Sequence, residues 1–407
     1  MDPPAPPTPS AVPPDLRRNR AHPLDWAAAV GFIAYASTAT ITPICLVILA
    51  KELRFSLAAA GTLEVVRSLL AVGIMVASGF LAGWFGKVRS LGAAMLLLGF
   101  GMMVYSAAPS YGVVVIALAL LGIGGGVADA LINPLVQDLH PGDSGRYLNI
   151  VNAFWSIGVL GTMLISGELL TREVSWRFLA GGVGAIAFLS GALFLLLQNT
   201  KPRDKNQRLR EVFAHKTTIL GQRGFWLFFW ALFVAGAIEG AFTFWSASLI
   251  QLEFGGRPRA AGVAAAFFAT GMIAGRLLCG WRVRQEHLWH LLFFSALGGL
   301  LVSMVVPFAP VVPVAVALLF LAGLATAALW PSIQSFAADR LHADSTALFI
   351  LLSCGGIPGF AFAPWIMGLV GEHTNLRVAF WCVPPLFIVL LALLWRARPS
   401  AGDSQPR

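Results

Sequence analysis

The sequence predicts an all-α membrane protein of twelve transmembrane helices arranged as two pseudo-symmetric six-helix bundles. Three observations predict it. Hydrophobic residues make up 57% of the 407 residues and Asp, Glu, Lys and Arg only 12%, against about 25% charged in ordinary soluble domains; mean hydropathy is +0.78. Apolar runs of about 20 residues, the length that crosses roughly 30 Å of hydrocarbon, can be placed twelve times. The halves also repeat at a constant offset of 197 residues. Met75, Ala77, Leu81, Gly83, Trp84, Gly126, Pro134, Gln137, Ser156 and Gly158 recur as Met272, Ala274, Leu278, Gly280, Trp281, Gly323, Pro331, Gln334, Ser353 and Gly355. With an even number of spans each, the two halves keep one orientation and enclose a central cavity near the membrane midplane.

Residues 1–23 hold eight prolines, with Arg17, Arg18 and Arg20 before the first apolar run, and lack a cleavage signature; they read as a disordered cytoplasmic tail. Spans 1 to 6 are placed at 25–50, 59–84, 90–108, 112–138, 146–170 and 176–197, forming a first bundle over 24–197. Span 1 carries hydroxyls (Ser37, Thr38, Thr40, Thr42) and no central acid. On span 2, Glu64 and Arg67 stand one turn apart near the outer end and read as an interfacial pair. The turn after span 2 has spaced glycines and a basic end: Gly79, Gly83, Gly86, Lys87, Arg89.

Span 4 is the most informative. At 100° per residue, Gly122, Gly126, Asp129 and Asn133 fall on one stripe. The glycines let a neighbouring helix approach, and a carboxyl at this depth belongs in the bundle interior or a wet cavity. It is then either a working acid or one that only bonds a neighbouring helix. Asn152 and Trp155 follow on span 5.

Residues 198–223 contain seven Lys and Arg and read as a basic cytoplasmic linker lying on lipid headgroups. Spans 7 to 12, at 224–250, 259–281, 288–307, 312–338, 345–370 and 377–395, form the second bundle over 224–397, and 398–407 is a cytoplasmic tail. Span 7 carries the second central acid, Glu239, with Thr243 and Ser246 on its face and Trp245 beside it. Span 8 holds Arg276, and span 10 holds Trp330 and Gln334 at i, i+4. Trp245, Trp330 and Gln334 are residue types with which sugar sites stack rings and bond hydroxyls; tryptophans in membranes also serve packing and interfacial belts.

The +9 formal charge does not imply nucleic acid. Nineteen of the 28 Lys and Arg fall in the segments on the N-terminal side of the membrane and seven on the other, which puts both termini in the cytoplasm of a multi-pass inner-membrane protein. Cys45, Cys279, Cys354 and Cys382 lie in apolar spans without metal-ligand spacing, and neither a P-loop, HExxH nor GxSxG occurs. No enzyme, metal, cofactor or ATP-driven pump is indicated, so any work must draw on a gradient.

Over residues 24–397 these features resemble the major facilitator superfamily, whose loop motif after span 2 is similar to Gly79 through Arg89, with Gly83 and Trp84 where that motif has Asp and a basic residue. Within it, Asp129-Ala-Leu-Ile-Asn133-Pro134, then Leu148-Asn149 and Asn152-Ala-Phe154-Trp155-Ser156-Ile-Gly158, is similar to spans 4 and 5 of the fucose:proton symporter family. That resemblance implies the proton-carrying acid at Asp129 and a polar cavity residue at Asn152. Two departures accompany it: span 1 lacks that family's second acid, and Trp155 replaces a sugar-contacting Asn, so fucose is not the expected ligand. The expectation is a secondary transporter moving a small polar solute, a sugar or sugar-like compound, with protons by alternating access. Proton coupling is assigned to Asp129 and Glu239, and solute contact to Asn133, Asn152, Trp155, Trp245, Trp330 and Gln334. Sodium in place of protons, a proton-driven exporter of amphipathic molecules, and a non-transporting membrane sensor are the alternatives. The expected partners are the solute, the coupling ion and the lipid bilayer, with the chain monomeric and no nucleic acid bound.

Overall fold

The computed structural model describes residues 21–140, 144–198, 219–282, 287–341 and 345–398. Most of the basic linker and of both tails lies outside the described residues. The first half comprises α1 (Pro23–Leu53), α2 (Leu57–Phe85), α3 (Lys87–Ser106), α4 (Tyr111–Leu139), α5 (Ser144–Thr171) and α6 (Trp176–Leu196). The second comprises α7 (Arg223–Glu253), α8 (Pro258–Arg282), α9 (Leu288–Val305), α10 (Val312–Thr326), α11 (Leu329–Leu341), α12 (Ser345–His373), α13 (Leu376–Ala379) and α14 (Val383–Arg396). Among the described residues, twelve segments are long and apolar enough to cross a bilayer. Because they alternate in direction, residues 21 and 398 lie at one face, called here the terminal face.

Local chemistry sets the helix ends. His22 caps α1, its Nδ1 accepting from the Leu24 N–H at 3.1 Å while Asp25 accepts from the His22 N–H at 2.7 Å. Gly86 joins α2 to α3 alone, at φ +84°, a conformation that costs glycine little.

Close helix contacts come from glycine. A Cβ on Gly126 would overlap the Ala71 carbonyl of α2, and one on Gly122 the Arg67 carbonyl. In the second half Gly271 and Gly323 seat α8 and α10 reciprocally on the Phe320 and Phe268 carbonyls. Without a hydrophobic force between helices in lipid, such contacts gain their energy from packing.

Span 10 is expected as one helix and is found as two, α10 and α11, parted at Ala327 and Ala328. Pro331 has no N–H to bond the Ala327 carbonyl four residues back. That carbonyl instead accepts from Arg276 Nε at 3.4 Å.

The halves meet along α2 with α12 and along α5 with α8. At the face opposite the termini, Gly61 lies against the Pro364 carbonyl and Trp365, and Gly368 against Leu57. Gly262 lies against Met163 and Gly167. Polar bonds reinforce both seams. Glu372 accepts from the Ala58 N–H at 3.0 Å, and Glu168 accepts from Arg259 at 2.5 and 2.9 Å. At the terminal end, α2 exposes Phe80 and Trp84 by 45% and 67%. The contacts described here seal the halves at the face opposite the termini.

Candidate functional site

Four elements position Asp129. The glycine run of α4 touches three neighbours: Gly122 and Gly126 the α2 backbone, Gly124 the α3 residues Ala94 and Leu98, and Gly125 the ring of Tyr35 on α1. Asp129 continues the stripe facing α2. Although deep among protein atoms, it is exposed, so its carboxyl faces an internal cavity. One turn further, Asn133 Oδ1 accepts from Asn152 Nδ2 of α5 at 2.8 Å. Three residues along α5, the Trp155 ring stands edge-on to Tyr35 at 4.8 Å and to Phe32 at 6.4 Å. The structure thus brings Asp129, Asn133, Asn152 and Trp155 together where α1, α4 and α5 converge. An ionisable acid, an amide pair and an aromatic wall can bind a proton, bond hydroxyls and cover an apolar ring face.

In the second half, Glu239 of α7 is partly accessible and Arg276 Nη2 of α8 lies 3.8 Å from its Oε1. The Trp330 ring covers Gly356, where a Cβ would overlap it, and Gln334 Nε2 donates to Ser353 Oγ at 3.1 Å. The amide pair of residues 133 and 152 and the amide–hydroxyl pair of 334 and 353 bridge consecutive helices over the same 19-residue separation.

Trp245 lies elsewhere. It is fully buried, and its Nε1 donates to the Pro364 carbonyl at 3.0 Å, the carbonyl against which Gly61 packs. In this conformation it braces the seal and touches no cavity. The hydroxyls of span 1 are likewise buried, Thr38 and Thr40 bonding α1 carbonyls and Ser37 bonding Thr162. In the loop motif, Lys87 pairs with Asp138 at 2.7 Å and Arg89 donates to Gln198 at 2.6 Å. The first bond stays within the first half and the second reaches Gln198 at the start of the linker, while Gly79 is half-buried and Gly83 exposed on the last turns of α2.

Glu64 and Arg67 depart from the sequence expectation. Glu64 is buried and Arg67 part-buried, their side chains 3% and 12% exposed, as an ion pair; Arg67 lies within electrostatic reach of Tyr35 and Asp129. An acid and an arginine one turn apart in an apolar span were the available signal. Its depth follows from where α2 begins, at Leu57, and from the face it turns to α1 and α4. An apolar groove between α9 and α10, lined by Leu291, Phe294, Val302 and Leu321 among others, holds none of these residues.

Two six-helix bundles, sealed at one face around polar side chains at mid-depth, have the architecture of a membrane transporter and not of an enzyme. The model of the Major Facilitator Superfamily matches residues 27–360, and the chain belongs to that superfamily. Among curated proteins it is 31% identical over 137 residues to the puromycin resistance protein pur8 of Streptomyces alboniger, covering 33% of this chain and 26% of that protein. It is 31% identical over 128 residues to the galactose-proton symporter of Escherichia coli K12, covering 31% of this chain and 27% of the symporter. The chain thus spans about a quarter of the length of these two relatives. Among solved structures, a mutant of the nucleoside transporter NupG superposes with a TM-score of 0.76 at 13% identity, covering 93% of this chain and 99% of that one. A D-xylose-proton symporter gives 0.73 at 14%, covering 93% and 98%. At such identities the likeness establishes the fold.

Proposed function

We propose that this protein is a proton-coupled secondary transporter of a small polar solute, sugar or sugar-like, of the fucose:proton symporter type, with Asp129 as the principal proton carrier. The observation that carries this reading is the Asp129 carboxyl, open to a cavity beside the Asn133 and Asn152 amides and shut off from the opposite face by the α2–α12 and α5–α8 seams. Glu239, held near Arg276, is the second proton site, and Trp155, Trp330 and Gln334 line the solute. The galactose-proton and D-xylose-proton symporters among its relatives and structural neighbours support this class. The charge bias of the loops supports a cytoplasmic terminal face for an alternating-access cycle. The basic stretch 198–223 joins the two bundles on that side.

The aromatic wall of Phe32, Tyr35 and Trp155 favours a second reading, export of amphipathic molecules, with pur8 as the relative that supports it. Purified full-length protein in proteoliposomes under an imposed pH gradient separates the two. Uptake of labelled galactose, xylose or uridine with the proton gradient supports the first; gradient-driven movement of puromycin against protons supports the second. Movement of none of these probes, with or without a gradient, overturns both.

A further inference from the structure

One helix pair of the repeat is closed in the first half and open in the second. The 197-residue register holds in space, because Gly126 meets the Ala71 carbonyl and Gly323 meets the Phe268 carbonyl. In the first half α3 and α4 pack tightly. A Cβ on Gly101 would lie 3.0 Å from the Leu121 side chain, and one on Gly124 would lie 2.8 Å from Leu98 and 2.9 Å from the Ala94 carbonyl. The matching positions are Gly298 on α9 and Leu321 on α10, with Leu291 and Ser295 where Ala94 and Leu98 stand. Here the Cβ position of Gly298 has nothing within 4 Å. A leucine where close approach needs glycine keeps α10 from closing on α9 as α4 closes on α3. The apolar groove between α9 and α10 is this unclosed pair.

The groove is graded in polarity along α9. His287 and His290 line its terminal end, Ser295 follows, and Gly298 and Val302 lie deeper, with Leu321 on α10. From His287 to Val302 is about 22 Å at 1.5 Å per residue, the depth of one leaflet with its headgroup layer. Phe294 and Leu321 of the lining are 62% and 44% exposed, so the groove opens at the outer surface of the bundle, where a membrane protein meets lipid. Arg398 lies over the Trp395 ring at 4.9 Å; Trp395 stands 6.4 Å from Trp289, itself 5.1 Å from His290. A permanent cation therefore shares the terminal end with the two imidazoles. An empty gap between helices forfeits packing on both walls, so a chain from the surrounding bilayer fills it. Basic pockets between membrane helices take anionic headgroups.

We propose that the groove between α9 and α10 is a binding site for an anionic phospholipid of the leaflet on the terminal side. One acyl chain lies along Gly298, Val302 and Leu321, and the phosphate accepts from the N–H groups of His287 and His290 beside the charge of Arg398. Ser295, about 8 Å further along the helix axis than His290, offers its hydroxyl at the level of the ester carbonyls. The site lies apart from Asp129, Asn152 and Glu239 and does not depend on which solute the protein moves.

Photocrosslinking and native mass spectrometry of the full-length protein test the site. In proteoliposomes containing phosphatidylglycerol with a diazirine at mid-chain, adducts are expected to concentrate on residues 298–302 and 321–325; adducts spread evenly over the outward-facing helices overturn the proposal. In detergent, native mass spectrometry then compares lipids. Because no protein atom lies within 4 Å of the Gly298 Cβ position, Gly298→Leu fills the groove without displacing a neighbour. Lost burial of about two methylenes should weaken phosphatidylglycerol binding about tenfold. The unmodified protein should prefer phosphatidylglycerol to phosphatidylcholine about fivefold, the effect of one basic group at a membrane surface. His287→Ala, His290→Ala and Arg398→Gln together should remove most of that preference. Undiminished binding by Gly298→Leu, equal binding of the two lipids by the unmodified protein, or a preference untouched by the triple substitution overturns the assignment. Should Gly298→Leu fail to fold, the crosslinks on the unmodified protein decide.

Discussion

Asp129 and Asn152 do different work at the same spot, and their variants should fail differently. Asp129→Asn fixes the neutral form, so it is expected to abolish pH-gradient-driven accumulation in proteoliposomes while solute exchange at equal pH persists. Unchanged accumulation would make Asp129 structural and pass coupling to Glu239. Asn152→Ala removes the donor to Asn133 at 2.8 Å. A net hydrogen bond is worth about 0.5–1.5 kcal/mol, so solute binding should weaken roughly two- to tenfold with the pH dependence of transport retained. Equilibrium binding of whichever labelled probe is transported measures that change. The apolar stripe made an acid on α4 conspicuous in sequence; Arg67 of α2 was conspicuous too, but which face of α2 it occupied depended on where that helix begins and turns.

At the scale of helices, α4 is held by backbone contact and α10 is broken by a missing donor. Gly126→Leu would drive a side chain into the Ala71 carbonyl and the Ile74 side chain. Overpacking of this kind costs about 1–3 kcal/mol or more, and a lowered melting temperature in detergent should register it. Arg276→Leu leaves the Ala327 carbonyl, already without a helical partner because of Pro331, unbonded and frees Glu239 from its nearest cation. The expected outcome is lower thermal stability together with an altered pH profile of transport; Arg276→Lys should recover the second more than the first, since a lysine restores charge without the planar fork. Twelve runs of apolar residues were legible because length and hydropathy alone set a span. The gap at Ala327 and Ala328 was not, because Pro134 sits at the matching position of α4 without parting that helix.

For the whole molecule, the balance between the two faces rests on contacts that cross between halves. Glu168 joins Arg259 across the α5–α8 seam, with side chains 31% and 60% exposed. Solvent-exposed pairs are worth about 0–1 kcal/mol, so Arg259→Gln should shift the population toward the state open opposite the termini by up to about fivefold. Spin-label distances between the ends of α5 and α8 at that face would report it; distances unmoved by the substitution would assign the seam to glycine packing alone. Composition, span count, loop charge and the 197-residue repeat already determine a twelve-helix protein of two like-oriented halves, because hydrocarbon thickness and backbone hydrogen bonding admit few alternatives. Tertiary structure alone decided which polar residues share a cavity. Trp245 and Trp330 read alike as aromatic residues in apolar spans, yet one is sealed against Pro364 and the other stands half-buried over Gly356. The Glu64–Arg67 pair lies inside because helix rotation and the approach of α2 to α4 at Gly122 and Gly126 place it there, and both are set by packing between segments far apart in sequence.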